Sequence, residues 1–196
     1  IIPVYQDKIE HVLSERDGLI AAMATLTVKN GPVIYERLNH LLSSWSTMLD
    51  RRRRHRSNPA RHPHQEWCKV IGSLKAIEVT NKGDGWHPHM HVFVLLDDYI
   101  DHGKFSDEWA QITGDSFIVG LTKCQNGVLE GLLEVLKYTA KPSELSVEQL
   151  WEAHLALKGR RLCDPQGILR GVELPDIDSD DETDLDGRFR EIMALW

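Results

Sequence analysis

Two adjoining segments constrain this chain most. Residues 70–80 carry Val70, Ile71, Leu74, Ala76, Ile77 and Val79, and residues 89–96 run on through Val92, Phe93, Val94, Leu95 and Leu96. Asn81, Lys82, Gly83, Asp84 and Gly85 separate them, and these are residues that favour turns. Two β-prone runs around such a turn predict a hairpin. The second run is apolar on both alternating faces, so it is expected to lie at the centre of its sheet.

The rest of the chain supplies elements to pack around that hairpin. Residues 22–28 read as a strand. Asn30, Gly31 and Pro32 then open a helix whose apolar stripe is Ile34, Leu38, Leu41, Leu42, Trp45, Met48 and Leu49. The stripe stops at an arginine block, and residues 57–64 read as a loop. Ser106 is expected to cap a short helix bearing Trp109 and Ile112, and residues 116–122 to form another strand. A helix over 128–141 ends before Pro142, and the next starts at a Ser146/Gln149 capping box and stops at Gly159. Adjacent strands with helices between them predict an α+β fold, an antiparallel sheet with helices packed on it.

The 196 residues suffice for one domain with a small appendage, and no stretch is apolar enough to span a bilayer. Ile1, with no preceding Met, reads as the start of a trimmed fragment. The three cysteines, Cys68, Cys124 and Cys163, are scattered and odd in number. They point to a reducing, cytoplasmic setting and away from a disulfide framework or a cysteine-based zinc site. The net charge of −7 is unevenly placed: residues 173–186 hold eight acids and no Lys or Arg, and without them the chain carries +1. Residues 51–61 hold six arginines and no acid, so the average charge excludes neither nucleic acid nor a basic partner. The expected division is a folded domain over 1–172 and an acidic, loosely packed C-terminal extension over 173–196.

The residues richest in chemistry are Trp86-His87-Pro88-His89-Met90-His91-Val92-Phe93-Val94. Alternation along a strand puts His89 and His91 on one face and Met90 on the other. If Glu78 faces either histidine across the hairpin, its carboxylate lies about 5 Å from one and diagonal to the other. Two imidazoles and one carboxylate suit Mn²⁺, Mg²⁺ or Zn²⁺, with positions left open for substrate oxygens. His87, at the strand entrance, is a further ligand, a supporting group or neither. The competing reading is a His-rich strand end, and His62-Pro63-His64 is a His pair without such a setting. On the 128–141 helix, Glu134, Tyr138 and Lys141 share one face. A tyrosine there is either a nucleophile beside a cation and a base, or a packed ring on a polar helix face.

Together these motifs resemble the HUH-class replication initiators (Rep proteins) of rolling-circle plasmids and phages, of the single-tyrosine type. Thr25-Leu26-Thr27 is similar to the first motif of that family. His89-Met90-His91 is similar to its His-hydrophobe-His metal motif, and Lys137-Tyr138-Thr139-Ala140-Lys141 with Glu134 upstream to its tyrosine motif. Gly72-Ser73-Leu74 leading into Glu78-Val79-Thr80, and the region from Leu155 to Arg161, add to the likeness, which covers about residues 20–172. The resemblance implies a five-stranded antiparallel palm, ferredoxin-like or RRM-like, with flanking helices. It implies a nickase and strand transferase that cuts single-stranded DNA at a plasmid or phage origin, with Mn²⁺ or Mg²⁺ as cofactor. Tyr138 would be left joined to a 5′-phosphate beside a free 3′-OH primer, Lys141 would assist it, and Glu134 would act at termination. A host helicase and polymerase are the implied partners, and no membrane is involved. Arg51, Arg52, Arg53, Arg54 and Arg56 are candidate phosphate contacts, or else a solvated helix end. Trp86 is a candidate base-stacking residue or a packed turn residue. The alternatives are a histidine-triad nucleotide hydrolase, a transposase or relaxase of the same HUH class, and a non-catalytic DNA-binding module.

Overall fold

The computed structural model describes residues 2–124, 128, 131–135 and 145–170. Helix α1 (Ile2–Glu15) leads into strand β1 (Ile20–Thr27), and helix α2 (Ile34–Ser57) follows. A 3₁₀ turn (Glu66–Lys69) precedes the hairpin of β2 (Val70–Asn81) and β3 (Trp86–Leu96). Helix α3 (His102–Thr113), β4 (Val119–Lys123), α4 (residues 131–135), α5 (Val147–Leu157) and β5 (Cys163–Gly167) complete the described chain.

The strands form one sheet in the order β4-β1-β3-β2-β5, with every pairing antiparallel. β1-α2-β2-β3-α3-β4 is the ferredoxin-like split β-α-β arrangement, with β5 added outside β2. The fold is thus the expected α+β palm, and β3 is central, as its two apolar faces require. One face is covered by Leu41, Trp45 and Met48 of α2 and Phe105 and Trp109 of α3, packed on Ala24, Leu26, Val92, Val94 and Leu96. The other face carries Leu74, Ala76, Phe93 and Leu95 under Ile9 of α1, Leu132 and Val135 of α4, and Leu169. Ala153 and Ala156 of α5 close a third cluster with Ile34, Leu38, Ile77, Val79 and Trp86.

The hairpin turn depends on a backbone approach. Gly31 and Trp86 exchange two backbone hydrogen bonds, of 3.1 and 2.7 Å. Gly85 has φ +92°, and a Cβ there would lie 2.7 Å from the Gly31 carbonyl oxygen. Only glycine fits both the dihedral and the space.

Several elements differ from expectation. α1 was not foreseen; its buried anchor, Ile9, stands among polar neighbours. α2 runs through the arginines to Ser57, in keeping with the loop expected from residue 57; Arg is a good helix former and its cations suit a helix C-terminus. Asp101, not Ser106, caps α3, accepting from the Lys104 amide at 3.0 Å. Ser106 lies within the helix and donates to the Phe117 carbonyl. β5, with Asp164, Pro165 and Gln166, has no strand-like pattern and pairs only along the β2 edge, where proline is tolerated. The Ser146/Gln149 box is formed as expected. The acidic segment lies outside the described residues.

Candidate metal and tyrosine site

The hairpin register sets the site. Glu78 pairs directly with His89, and Ala76 with His91; on the other side of β3, Thr25 pairs with His91 and Thr27 with His89. All these residues share the sheet face that carries Phe93 and Leu95. Glu78 Oε2 lies 3.1 Å from His91 Nε2 and 3.7 Å from His89 Nδ1. One ligand atom from each of Glu78, His89 and His91 falls within 4.8 Å of the other two. The expected geometry of two same-face imidazoles with a cross-strand carboxylate is therefore present.

Burial tunes these groups. The His89 imidazole is pushed down to about 4, first by burial and then by the neighbouring His87, with Glu78 opposing. His87 is lowered by burial, and its ring meets that of His89 edge to face at 4.3 Å between centroids. Neutral imidazoles keep the lone pairs that a metal needs. His91 is 8% exposed at its side chain, and its Nδ1 lies 3.4 Å from Thr25 Oγ1. His91 Nε2–H donates to Glu78 Oε2 at 3.1 Å, so the Thr25 hydroxyl donates to Nδ1; a cation bound between His91 and Glu78 would take the place of the Nε2 proton and turn Nδ1–H towards Thr25. Thr25, in the first motif, thus sits where it can orient a ligand. His89 Nε2 is buried and has no hydrogen-bond partner among the described residues. His89 Nδ1 and His91 Nε2 both face Glu78 Oε2, and two imidazole nitrogens converging on one carboxylate fit a divalent cation.

The described part of the tyrosine helix lies over the same face. Leu132 and Val135 are buried there, and Glu134 is half-buried. Gly131 sits so close to the sheet that a Cβ would come within 3.1 Å of the Phe93 ring and 2.6 Å of Cys124 Sγ. Phe93 is two residues along β3 from His91, so this helix crosses the sheet beside the histidines. Tyr138 and Lys141 lie outside the described residues.

The arginine block divides. Arg53 and Arg54 are exposed, and both are paired with Asp50. Arg51 is half-buried. Arg52 is 7% exposed, and burial together with Arg56 lowers it to about 10. Arg56 donates to the Cys68 and Val70 carbonyls, each at 3.2 Å. Arg52 thus serves the interior and Arg56 the chain leading into β2, whereas the sequence grouped all five as one basic patch. The block lines an open groove of about 1140 Å³ that Gln166 and Arg170 complete.

Trp86 is 2% exposed among Ile77, Val79 and Ile34, and so offers no face for stacking. Its register at the sheet end turns it to the α5 side, which a turn position in sequence does not reveal. Phe117, within the segment expected as a strand, instead stands before β4 and is 70% exposed. It lines a cavity of about 420 Å³ with Thr27, Asn30 and His87, whose ring in turn touches that of His89. The one sequence signal for it was an apolar side chain beside Ser116 and Asp115, next to Gly114.

Among the described residues, no helix is long and apolar enough to cross a membrane. The family model described as "Replication protein" matches residues 4–193. "Protein rep" of Streptococcus pneumoniae serotype 2 (strain D39 / NCTC 7466) is 24% identical over 201 residues, spanning 88% of this chain and 60% of that protein. The chain therefore covers less than two thirds of that relative's length. No solved structure matches. The order of the motifs, the palm and a family match over almost the whole chain agree: the chain belongs to the replication-protein (Rep) family.

Proposed function

We propose that this chain is the catalytic part of a replication initiator that nicks single-stranded DNA at a plasmid or phage origin by tyrosine attack. The observation that carries this reading is the meeting of Glu78, His89 and His91 on the face crossed by the helix of Glu134. Glu78, His89 and His91 hold a divalent cation, Mn²⁺ or Mg²⁺. When bound, that ion supplies positive charge to the scissile phosphate. Thr25 keeps the His91 ring oriented, and the exposed Phe117 stacks a base beside the reacting phosphate.

The tyrosine then does the chemistry. Tyr138 loses its phenolic proton to solvent water, favoured by the Lys141 ammonium, and its oxygen attacks phosphorus in line. The bond to the 3′ oxygen breaks, and that oxygen takes a proton from solvent water to become a free 3′-OH. The 5′-phosphate stays on Tyr138, and the 3′-OH primes a host polymerase behind a host helicase. Glu134 later takes a proton from a water that attacks the phosphotyrosine, and Tyr138 is released.

A labelled pool of single-stranded oligonucleotides, incubated with the protein and Mn²⁺, tests this reading. Cleavage should vanish with a chelator and fall by about 10²–10³-fold in His91→Ala, the scale for losing an essential electrostatic stabiliser. Glu134→Ala should still nick, but its covalent adduct should persist. Undiminished cleavage in His91→Ala or in chelator would refute the proposal.

A further inference from the structure

A second group of ligand-bearing side chains meets where the chain leaves α2. His55 lies in the last turn of α2, His64 in the following loop, and Cys68 in the 3₁₀ turn before β2. One ligand atom from each lies within 4.8 Å of the other two. The His55 and His64 rings meet edge to face, 5.2 Å between centroids. His55 Nδ1–H donates to the His62 carbonyl at 2.9 Å, which leaves the lone pair on Nε2. Such a backbone hydrogen bond is the usual support for a metal-binding imidazole. Cys68 is buried and forms no disulfide.

The loop has little else to hold it. Residues 57–65 are Ser, Asn, Pro, Ala, Arg, His, Pro, His and Gln, with no large apolar side chain to bury. Ordering such a segment costs conformational entropy that burial cannot offset here. We propose that His55, His64 and Cys68 bind a thiophilic divalent ion of the Zn²⁺ class, with the fourth position open to solvent beside the exposed His64. One thiolate and two imidazoles form a softer set than Glu78, His89 and His91, so the two sites sort ions differently. The scatter of the cysteines excludes a site built from cysteines alone; two histidines supply what the cysteines lack. Arg56 donates to the Cys68 carbonyl, so an ion here ties the arginine-bearing end of α2 to the start of β2.

Cobalt substitution in the purified chain separates this site from the other. After metal removal, Co²⁺ should produce a sulfur-to-cobalt charge-transfer band, which the Glu78–His89–His91 set cannot give. The band should survive in His89→Ala/His91→Ala and disappear in Cys68→Ser. His64 is exposed, so His64→Gln leaves the fold intact and should weaken Co²⁺ binding in that band by about 100-fold or more, since even an outer-shell partner is worth 10–100-fold. No band in the unmutated chain, a band that persists in Cys68→Ser, or unchanged affinity in His64→Gln would overturn the proposal. If Cys68→Ser fails to fold, the His64→Gln titration alone decides.

Discussion

At the scale of single residues, the place of His89 on a buried strand disfavours its charged form. The unfolded chain binds a proton there near the ordinary imidazole value of 6.5, while the folded site resists until about 4. Between those values the unfolded state holds more protons, so the metal-free protein should lose stability as pH falls from about 6.5 towards 4. Melting temperatures measured against pH in chelator should show this slope, and His89→Asn should flatten it. A slope equal to that of the unmutated chain would detach it from His89. The two aromatic residues at the site separate in the same way. Trp86→Ala should destabilise the fold by about 3–5 kcal/mol, as for other buried large-to-small changes. Phe117→Ala should leave the melting temperature almost unchanged and weaken single-stranded DNA binding by about 1–3 kcal/mol. Fluorescence anisotropy with a short oligonucleotide, alongside thermal melts, checks both; equal DNA affinity in Phe117→Ala would remove it from the interface.

At the scale of elements, α2 shows how much a pattern discloses and where it stops. Its apolar stripe was legible from Ile34 to Leu49 because a period of 3.6 is a local signal. The division of its arginines was not, since whether Arg52 turns inward depends on what α2 packs against. If these arginines contact phosphates, changing the half-buried Arg51 and the exposed Arg53 and Arg54 together to Gln should lower the salt slope of DNA binding by about one per lost contact. Binding titrations from low to high salt test this, and an unchanged slope would assign those side chains to the helix end alone. The hairpin was legible in the same local way, down to the face shared by Glu78, His89 and His91. Its register, which sets Glu78 opposite His89 rather than His91, was not. β5 stayed hidden because its strand character comes from pairing with β2, not from its own Cys-Asp-Pro-Gln-Gly.

At the scale of the whole molecule, the sheet sorts its work by face. One face is closed by α2 and α3 and holds the larger apolar cluster, while the other carries the histidines under the helix of Glu134. The alternation of β3 makes that sorting possible, with Met90 and Val92 on one side and His89 and His91 on the other. The central claim is that this second face presents Tyr138 to DNA. Tyr35 and Tyr99 are accessible, at 56% and 66% exposure, so access alone does not single out the nucleophile. The most direct measurement is to trap the protein on a single-stranded oligonucleotide labelled at its 3′ end, digest the adduct and identify the modified residue by mass spectrometry. The account predicts the label on Tyr138, and no adduct from Tyr138→Phe. A label on another tyrosine or on a histidine, or an adduct formed by Tyr138→Phe, would contradict it.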